Sequence, residues 1–285
     1  MNLRRLVITG TVTVLFIANL AVWISAVSAR NKELLVKVYD VGQGDSIFIR
    51  TPDNYKILVD GGPTNKIINH LNSELGLNDR TIDLVVLTHP QSDHMFGLIE
   101  VLKQFQVKKV ITSNVSNSTT TYQLWRDTLK NSQLVPVFVH AGESITLSDQ
   151  VTLKFIWPKE LKPVVADLNQ AAVVMKLSYG NFDMLLTADA DMKAQPYTSS
   201  VGHIEVLKVP HHGSRTAVRE DYLRQLKPDV SVVSVGERNS YGHPNSTLLN
   251  LLLKNSKKVY RTDQNGTVEF VSNGATWYTQ LEKGN

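Results

Sequence analysis

No cysteine occurs among the 285 residues, which excludes disulfides and thiolate metal ligands together. Internal repeats and low-complexity linkers are absent too, and the length suits one well-cored domain. Charge of one sign is scarce. The formal net charge is +4, yet Arg4 and Arg5 sit in an N-terminal segment, residues 1–29, that holds no acid. Without it, 28 basic residues face 26 acidic ones, a net of +2, so bulk charge gives no support for nucleic-acid binding. The local set Arg215, Arg219, Arg224 and Lys227 reads as a solvated helix face. Charge is missing altogether from Leu6 to Val27, a run of 22 residues that at ~1.5 Å per residue would span a ~30 Å hydrocarbon core. With Arg4 and Arg5 ahead of it, the positive-inside rule sends residues 30–285 outward. The run exceeds the ~7–15 residues of a signal-peptide core, which favours a membrane anchor through residues 6–27. The alternative is secretion after cleavage at Val27-Ser28-Ala29. Both export the remainder of the chain.

What is present is a set of strand ends that deliver histidine and aspartate. The short apolar run Leu84-Val85-Val86-Leu87 reads as a buried strand and leads into Thr88-His89-Pro90-Gln91-Ser92-Asp93-His94-Met95-Phe96-Gly97-Leu98. Imidazole and carboxylate are the ligands zinc prefers when one position must stay open to water. Adjacent Asp93 and His94 cannot both be core residues on one face. Further on, Met184 to Ala188 ends in Asp189, and Ile204 to Val209 ends in Pro210-His211-His212-Gly213-Ser214. Val230 to Val235 is followed by Tyr241-Gly242-His243-Pro244-Asn245. These ends describe the rim of one sheet system, where α/β folds place their chemistry.

Six ordered segments carry a family resemblance: Tyr39 to Ser46, Leu58 to Gly62, His89 to Leu98, Leu186 to Asp189, Lys208 to Ser214 and Tyr241 to Pro244. Together they resemble metallo-β-lactamase-fold hydrolases, closest to the hydrolase domain at the C-terminal end of ComEC competence proteins. The resemblance covers residues 34 to about 270. It implies a four-layer αββα sandwich, here preceded by one N-terminal transmembrane helix, and makes residues 30–285 the hydrolase domain. It also implies metal ligands His89, Asp93, His94, Asp189 and a late histidine, with Asp60 holding a metal-binding imidazole in place.

Departures from the family pattern matter equally. Gln91 stands where the family has His or Asp, Phe96 and Ala188 replace glycines, and Asp167 to Ala171 offers only amides as ligands. A neutral amide oxygen is a poor zinc ligand, so one tight zinc is expected with a second weak or absent. Manganese is the alternative metal.

In an extended segment, His211 and His212 point in opposite directions. One can ligate while the other contacts substrate, and His211 is the favoured ligand. Ser214 is expected to cap a helix starting at Arg215, whose N-terminus would suit an anionic substrate oxygen. His243 is either the last ligand or, with His212 as the alternative, the proton donor to the leaving group. Asp93 would orient the attacking water. Asp40 and Asp45 bracket the Gly42-Gln43-Gly44 turn, either as turn formers or, for Asp45, as support for the site.

The resemblance favours an exported phosphodiesterase or nuclease, with single-stranded DNA as the leading substrate. Cell-envelope phosphodiesters or lactones are the second reading, and a degenerate, non-catalytic binding or scaffold protein the third. No protein partner can be inferred.

The expected helices are Lys66–Leu75 with Gly76 as its stop, Met95–Phe105, Tyr122–Lys130, Thr216–Leu226 and Ser246–Lys254. Strands are expected at Leu34–Asp40, Ser46–Arg50, Lys56–Val59, Val135–Val139, Val151–Trp157, Ala172–Tyr179 and Val268–Val271. Ser113 to Thr121 is polar and reads as a loop over the site, or as disorder.

Overall fold

The computed structural model describes residues 11–23, 33–76, 79–148, 150–160, 162–190 and 192–284. The expected span 6–27 lies partly outside these residues, and the expected cleavage site lies wholly outside. Residues 11–23 are helical and exposed. Among the described residues, no helix is long and apolar enough to cross a membrane, so the transmembrane helix finds no structural support.

Two large sheets combine the expected strands with four that were not expected, Val110–Thr112, Ser144–Ser148, Lys258–Arg261 and Trp277–Leu281. The first has eight strands, ordered Trp277–Leu281, Val268–Ser272, Leu34–Val38, Ile47–Arg50, Lys56–Val59, Leu84–Leu87, Val110–Thr112 and Val137–Phe138. The second has seven: Lys258–Arg261, Val230–Val233, Val206–Lys208, Phe182–Leu186, Val174–Tyr179, Val151–Trp157 and Ser144–Ser148. Each is antiparallel on one side and parallel on the other.

The apolar runs explain the layering. Strand side chains alternate between faces, and in Leu84–Leu87 both faces are apolar. Leu84 and Val86 face the core between the sheets, while Val85 and Leu87 face helices Lys66–Leu75, Ser92–Gln104 and Thr120–Asn131. In the second sheet, Met184 and Leu186 face inward. Leu185 faces outward to the core that includes Leu223 on helix Glu220–Leu226 and Leu248 on helix Ser246–Asn255. Burying each such side chain stabilises the fold by roughly 1.5–3 kcal/mol. Three apolar layers therefore separate four structural ones, the expected αββα order.

Helix Ser92–Gln104 is held unusually close to the first sheet. A Cβ added at Gly97 would lie 1.9 Å from the carbonyl oxygen of Gly61, and one at Gly61 would lie 2.3 Å from the Leu98 nitrogen. The Gly61 N–H donates to the His94 carbonyl at 2.7 Å, and the Gly97 N–H to the Gly62 carbonyl at 3.0 Å. These contacts set the height of His94 above the sheet. Gly97→Ala should cost on the order of 1–3 kcal/mol, as overpacking does, and should lower metal affinity with it. An unchanged melting temperature would show that the helix can slide.

Candidate metal centre

Four strand ends, one from the first sheet and three from the parallel side of the second, supply the polar side chains. Leu84–Leu87 ends just before His89, and Phe182–Leu186 just before Asp189. Val206–Lys208 precedes His211 and His212, and Val230–Val233 precedes Ser234. Ligand-type atoms of Asp93, His94, Asp189 and His212 all lie within 4.8 Å of one another. Asp189 Oδ2 is 3.4 Å from Nε2 of His94 and 3.4 Å from Nε2 of His212. His212 Nε2 is also 3.3 Å from Asp93 Oδ2. His89 adjoins this group, fully buried, with its ring centroid 4.2 Å from that of His94.

Hydrogen bonds decide which imidazole nitrogen carries the proton. His94 Nδ1 lies 2.8 Å from Asp60 Oδ2, an acceptor, so Nδ1–H donates. The Thr88 hydroxyl donates to the same oxygen at 2.7 Å. Having used its proton there, that hydroxyl can only accept from His89 Nδ1, 3.0 Å away. His212 Nδ1 donates to the Ser234 carbonyl at 3.1 Å, with Asp45 Oδ1 at 3.5 Å. His94 and His212 thus turn Nε2 toward Asp189, and His89 is anchored through its Nδ1 in the same way. Nε2 of His89, His94 and His212, and Oδ1 of Asp189, are buried and have no hydrogen-bond partner among the described residues. Leaving such a group unpaired costs ~1–3 kcal/mol. Imidazole nitrogens and a carboxylate oxygen suit zinc, and ring orientation through the other nitrogen is the usual support for a histidine ligand.

Electrostatics agree with a cation. Burial pushes the His89 imidazole down to about 4, and repulsion from His94 adds to it, so the ring is neutral and ready to ligate. Burial also opposes charge on His94 and His212. The carboxylates, Asp189 foremost, outweigh it and raise both rings well above the ordinary value, a sign of strongly negative potential.

Beneath His212 lies a pair whose role was not evident from the sequence. Lys208 is fully buried and its Nζ donates to Asp45 Oδ2, uniting the second sheet with the loop after the first strand. Burial alone would raise the Asp45 carboxyl; the Lys208 ammonium and His212 outweigh it and hold it below the usual range. A lysine ending the apolar run Val206-Leu207 was the available signal. Thr88, Gln43 and Asn239 were missed as well. Gln43 Oε1 accepts from the Gly236 N–H at 3.2 Å, which turns its Nε2 toward His243 Nδ1, 3.4 Å away. Asn239 clamps the backbone of His243 from both sides.

Two expectations change. His212, not the favoured His211, joins the cluster; the His211 side chain is 36% exposed and its Nε2 is 3.9 Å from Asp189 Oδ2. The extended segment assumed for this pair is instead a turn, with φ of 48° at His211 and 52° at His212. Asp60 and Ala188 also have positive φ, a conformation that costs an ordinary residue on the order of 1 kcal/mol or more and gathers at functional sites. Second, Ser214 caps no helix. The helix expected from Thr216 begins at Glu220 with Arg219 as its N-cap, and the Ser214 hydroxyl is buried without a partner among the described residues. The helix N-terminus at the cluster is that of Ser92–Gln104, with Asp93 in its first turn, where a carboxylate is favoured.

Gln91 is the N-cap position of that helix, and its backbone N–H donates to the His89 carbonyl at 3.0 Å. An imidazole there would add a strong ligand beside His89. Gln91→His should tighten a second equivalent of zinc on the order of tenfold, read by metal titration. Unchanged stoichiometry and affinity would mean that position 91 does not reach the ion.

Residues 39–237 match the model of the metallo-beta-lactamase superfamily. The chain is 27% identical to ComE operon protein 3 of Bacillus subtilis over 94% of its own length and 36% of the relative's. It is 30% identical to Competence protein ComA of Neisseria gonorrhoeae over 84% of its length and 32% of that protein. The chain therefore spans about a third of the curated relatives it matches. Among solved structures, the metallo-beta-lactamase fold protein YhfI of Bacillus subtilis aligns with TM-score 0.55 at 12% identity, covering 84% of this chain and 99% of that one. CmlA, a diiron beta-hydroxylase of Streptomyces venezuelae, aligns with TM-score 0.51 at 17% identity over 80% and 52%. These two likenesses establish fold alone. From the matched model and the two-sheet sandwich that carries the cluster, the chain belongs to the metallo-beta-lactamase superfamily.

Proposed function

We propose that the protein is a metal-dependent phosphodiesterase acting on single-stranded DNA. The observation that carries this reading is the gathering of ligand-type atoms of Asp93, His94, Asp189 and His212 within 4.8 Å of one another, with the fully buried His89 ring beside them. His94, Asp189, His212 and Asp93 would hold one zinc or manganese ion, and His89 with Asp189 a weaker second. A divalent ion there supplies Lewis-acid polarisation of a phosphoryl oxygen and lowers the pKa of water.

The remaining work falls to the chain itself. Asp93, with about a third of its side chain exposed, reaches the open side of the cluster and orients the attacking water. Gln43 donates to His243 Nδ1, which leaves the Nε2–H of His243 as a donor toward the leaving oxygen. His211 stands between these groups, its ring centroid 6.0 Å from that of His243, and would contact the substrate phosphate. Two curated relatives, Competence protein ComA and Recombination protein 2 of Haemophilus influenzae, are named for competence and recombination, which supports a nucleic-acid substrate. The charge-free run ahead of the domain supports export, as an anchored or a cleaved protein.

The test is hydrolysis by the purified protein, with zinc or manganese, of bis(p-nitrophenyl) phosphate, single-stranded DNA and a lactone. Metal-dependent cleavage of both phosphodiesters is expected. Cleavage of the lactone alone would overturn the substrate assignment, and a folded protein that binds no metal would overturn the hydrolase.

A further inference from the structure

A cleft of about 470 Å³ opens on the same sheet edge as the metal cluster, within the ~300–1,000 Å³ range of small-ligand sites. Leu87, Thr112 and Phe138 line it, and each is the last residue of one of three neighbouring parallel strands. Ligands of α/β sheets bind outside the carboxyl ends of such strands. The chain leaving Leu87 reaches His89 two residues later, and Pro90 lines the cleft. The Asn117 side chain donates to the Pro90 carbonyl at 2.8 Å, so the polar segment expected to cover the site is tied to the metal loop. Cleft and cluster share one wall.

Two chemistries meet in this cleft. Its floor includes the buried side chains of Val115, Trp125 and Leu129, and Phe138, 44% exposed, stands at its side. Its rim is one face of helix Thr120–Asn131, where Tyr122, Arg126 and Lys130 follow at four-residue spacing. Arg126 and Lys130 are exposed and have no ion-pair or hydrogen-bond partner among the described residues. An alkyl chain would leave both cations unused, and a bare anion would leave the apolar floor unused. A nucleotide engages both, with its base against apolar and aromatic walls and its phosphate on the cations.

We propose that this cleft is a nucleotide subsite. It takes the base of a unit flanking the scissile phosphodiester, and Arg126 and Lys130 hold that unit's phosphate. The proposal rests on the phosphodiesterase reading for its place in a reaction, but binding can be measured without cleavage.

The probe is a fluorescein-labelled hexathymidylate, with the full chain in EDTA so that no turnover occurs. The charge-reversed variant Arg126→Glu/Lys130→Glu should bind it about tenfold or more weakly. Its log–log salt slope should be shallower by about 1.4, two contacts at ~0.7 each for single strands. Phe138→Ala should weaken binding in the same direction without changing the slope. With metal restored, kcat/KM for the oligonucleotide should fall about tenfold relative to that for bis(p-nitrophenyl) phosphate, with the change in KM.

Equal affinity and slope for the charge-reversed and parent proteins would overturn the subsite. So would quenching of Trp125 fluorescence, identified by its loss in Trp125→Phe, by octyl phosphate but not by thymidine monophosphate. Oligonucleotide binding that depends on Arg126 and Lys130, in a protein that cleaves neither ester, would keep the subsite and remove the phosphodiesterase.

Discussion

Asp189→Asn should abolish hydrolysis and metal retention while leaving the fold intact. Asp189 Oδ2 is the atom that both His94 Nε2 and His212 Nε2 approach at 3.4 Å, so the substitution removes charge where the two imidazoles meet. Losing a partner outside the ligand shell typically costs ~10–100-fold in metal affinity; loss of a ligand carboxylate should cost at least the upper end of that. Because a metal that binds only the folded state adds RT ln(1 + [L]/Kd) of stability, zinc should raise the melting temperature of the parent protein and not that of Asp189→Asn. A metal-dependent melting shift of parental size in the variant would remove Asp189 from the ligand set.

Lys208→Met is expected to have the largest effect on stability. The Lys208 and Asp45 side chains are 0% and 2% exposed, and truncating one partner of such a pair leaves a buried charge uncompensated at ~3–5 kcal/mol. For a domain of this size the melting temperature should fall by roughly 10 °C, at ~2–4 °C per kcal/mol. Adding Asp45→Asn should restore much of the loss, because the double variant no longer buries an unpaired charge. Denaturant melts of the two single variants and the double close the cycle. A loss below ~1 kcal/mol in Lys208→Met, or no recovery in the double variant, would show that the pair is solvated.

The fold was legible where local pattern and packing coincide. Lys66–Leu75 with its stop at Gly76, Lys56–Val59 and Val151–Trp157 run as the sequence indicates. Apolar spacing and a helix-ending glycine act over a few residues and need no distant partner. Strand Ser144–Ser148 was overlooked because its polar alternation has no apolar run. The helix after Ser214 begins at Glu220 because the intervening chain makes its own turn, in which the Ala217 N–H donates to the Ser214 carbonyl.

By itself the sequence determined the fold class, the strand ends that would carry the chemistry, and the ligand types available there. The fold class came through the family resemblance of six ordered motifs, and the other two follow from residue identity and short-range periodicity. Tertiary structure alone decided which lone pairs meet. His212 enters the cluster and His211 does not because two successive left-handed residues turn the chain, and the Ser234 carbonyl, 22 positions away, fixes the ring. The Lys208–Asp45 pair spans 163 positions, and the cleft under Arg126 and Lys130 exists only where three strand ends and a helix are assembled. Side-chain direction depends on backbone dihedrals set by distant packing, and no local pattern encodes it.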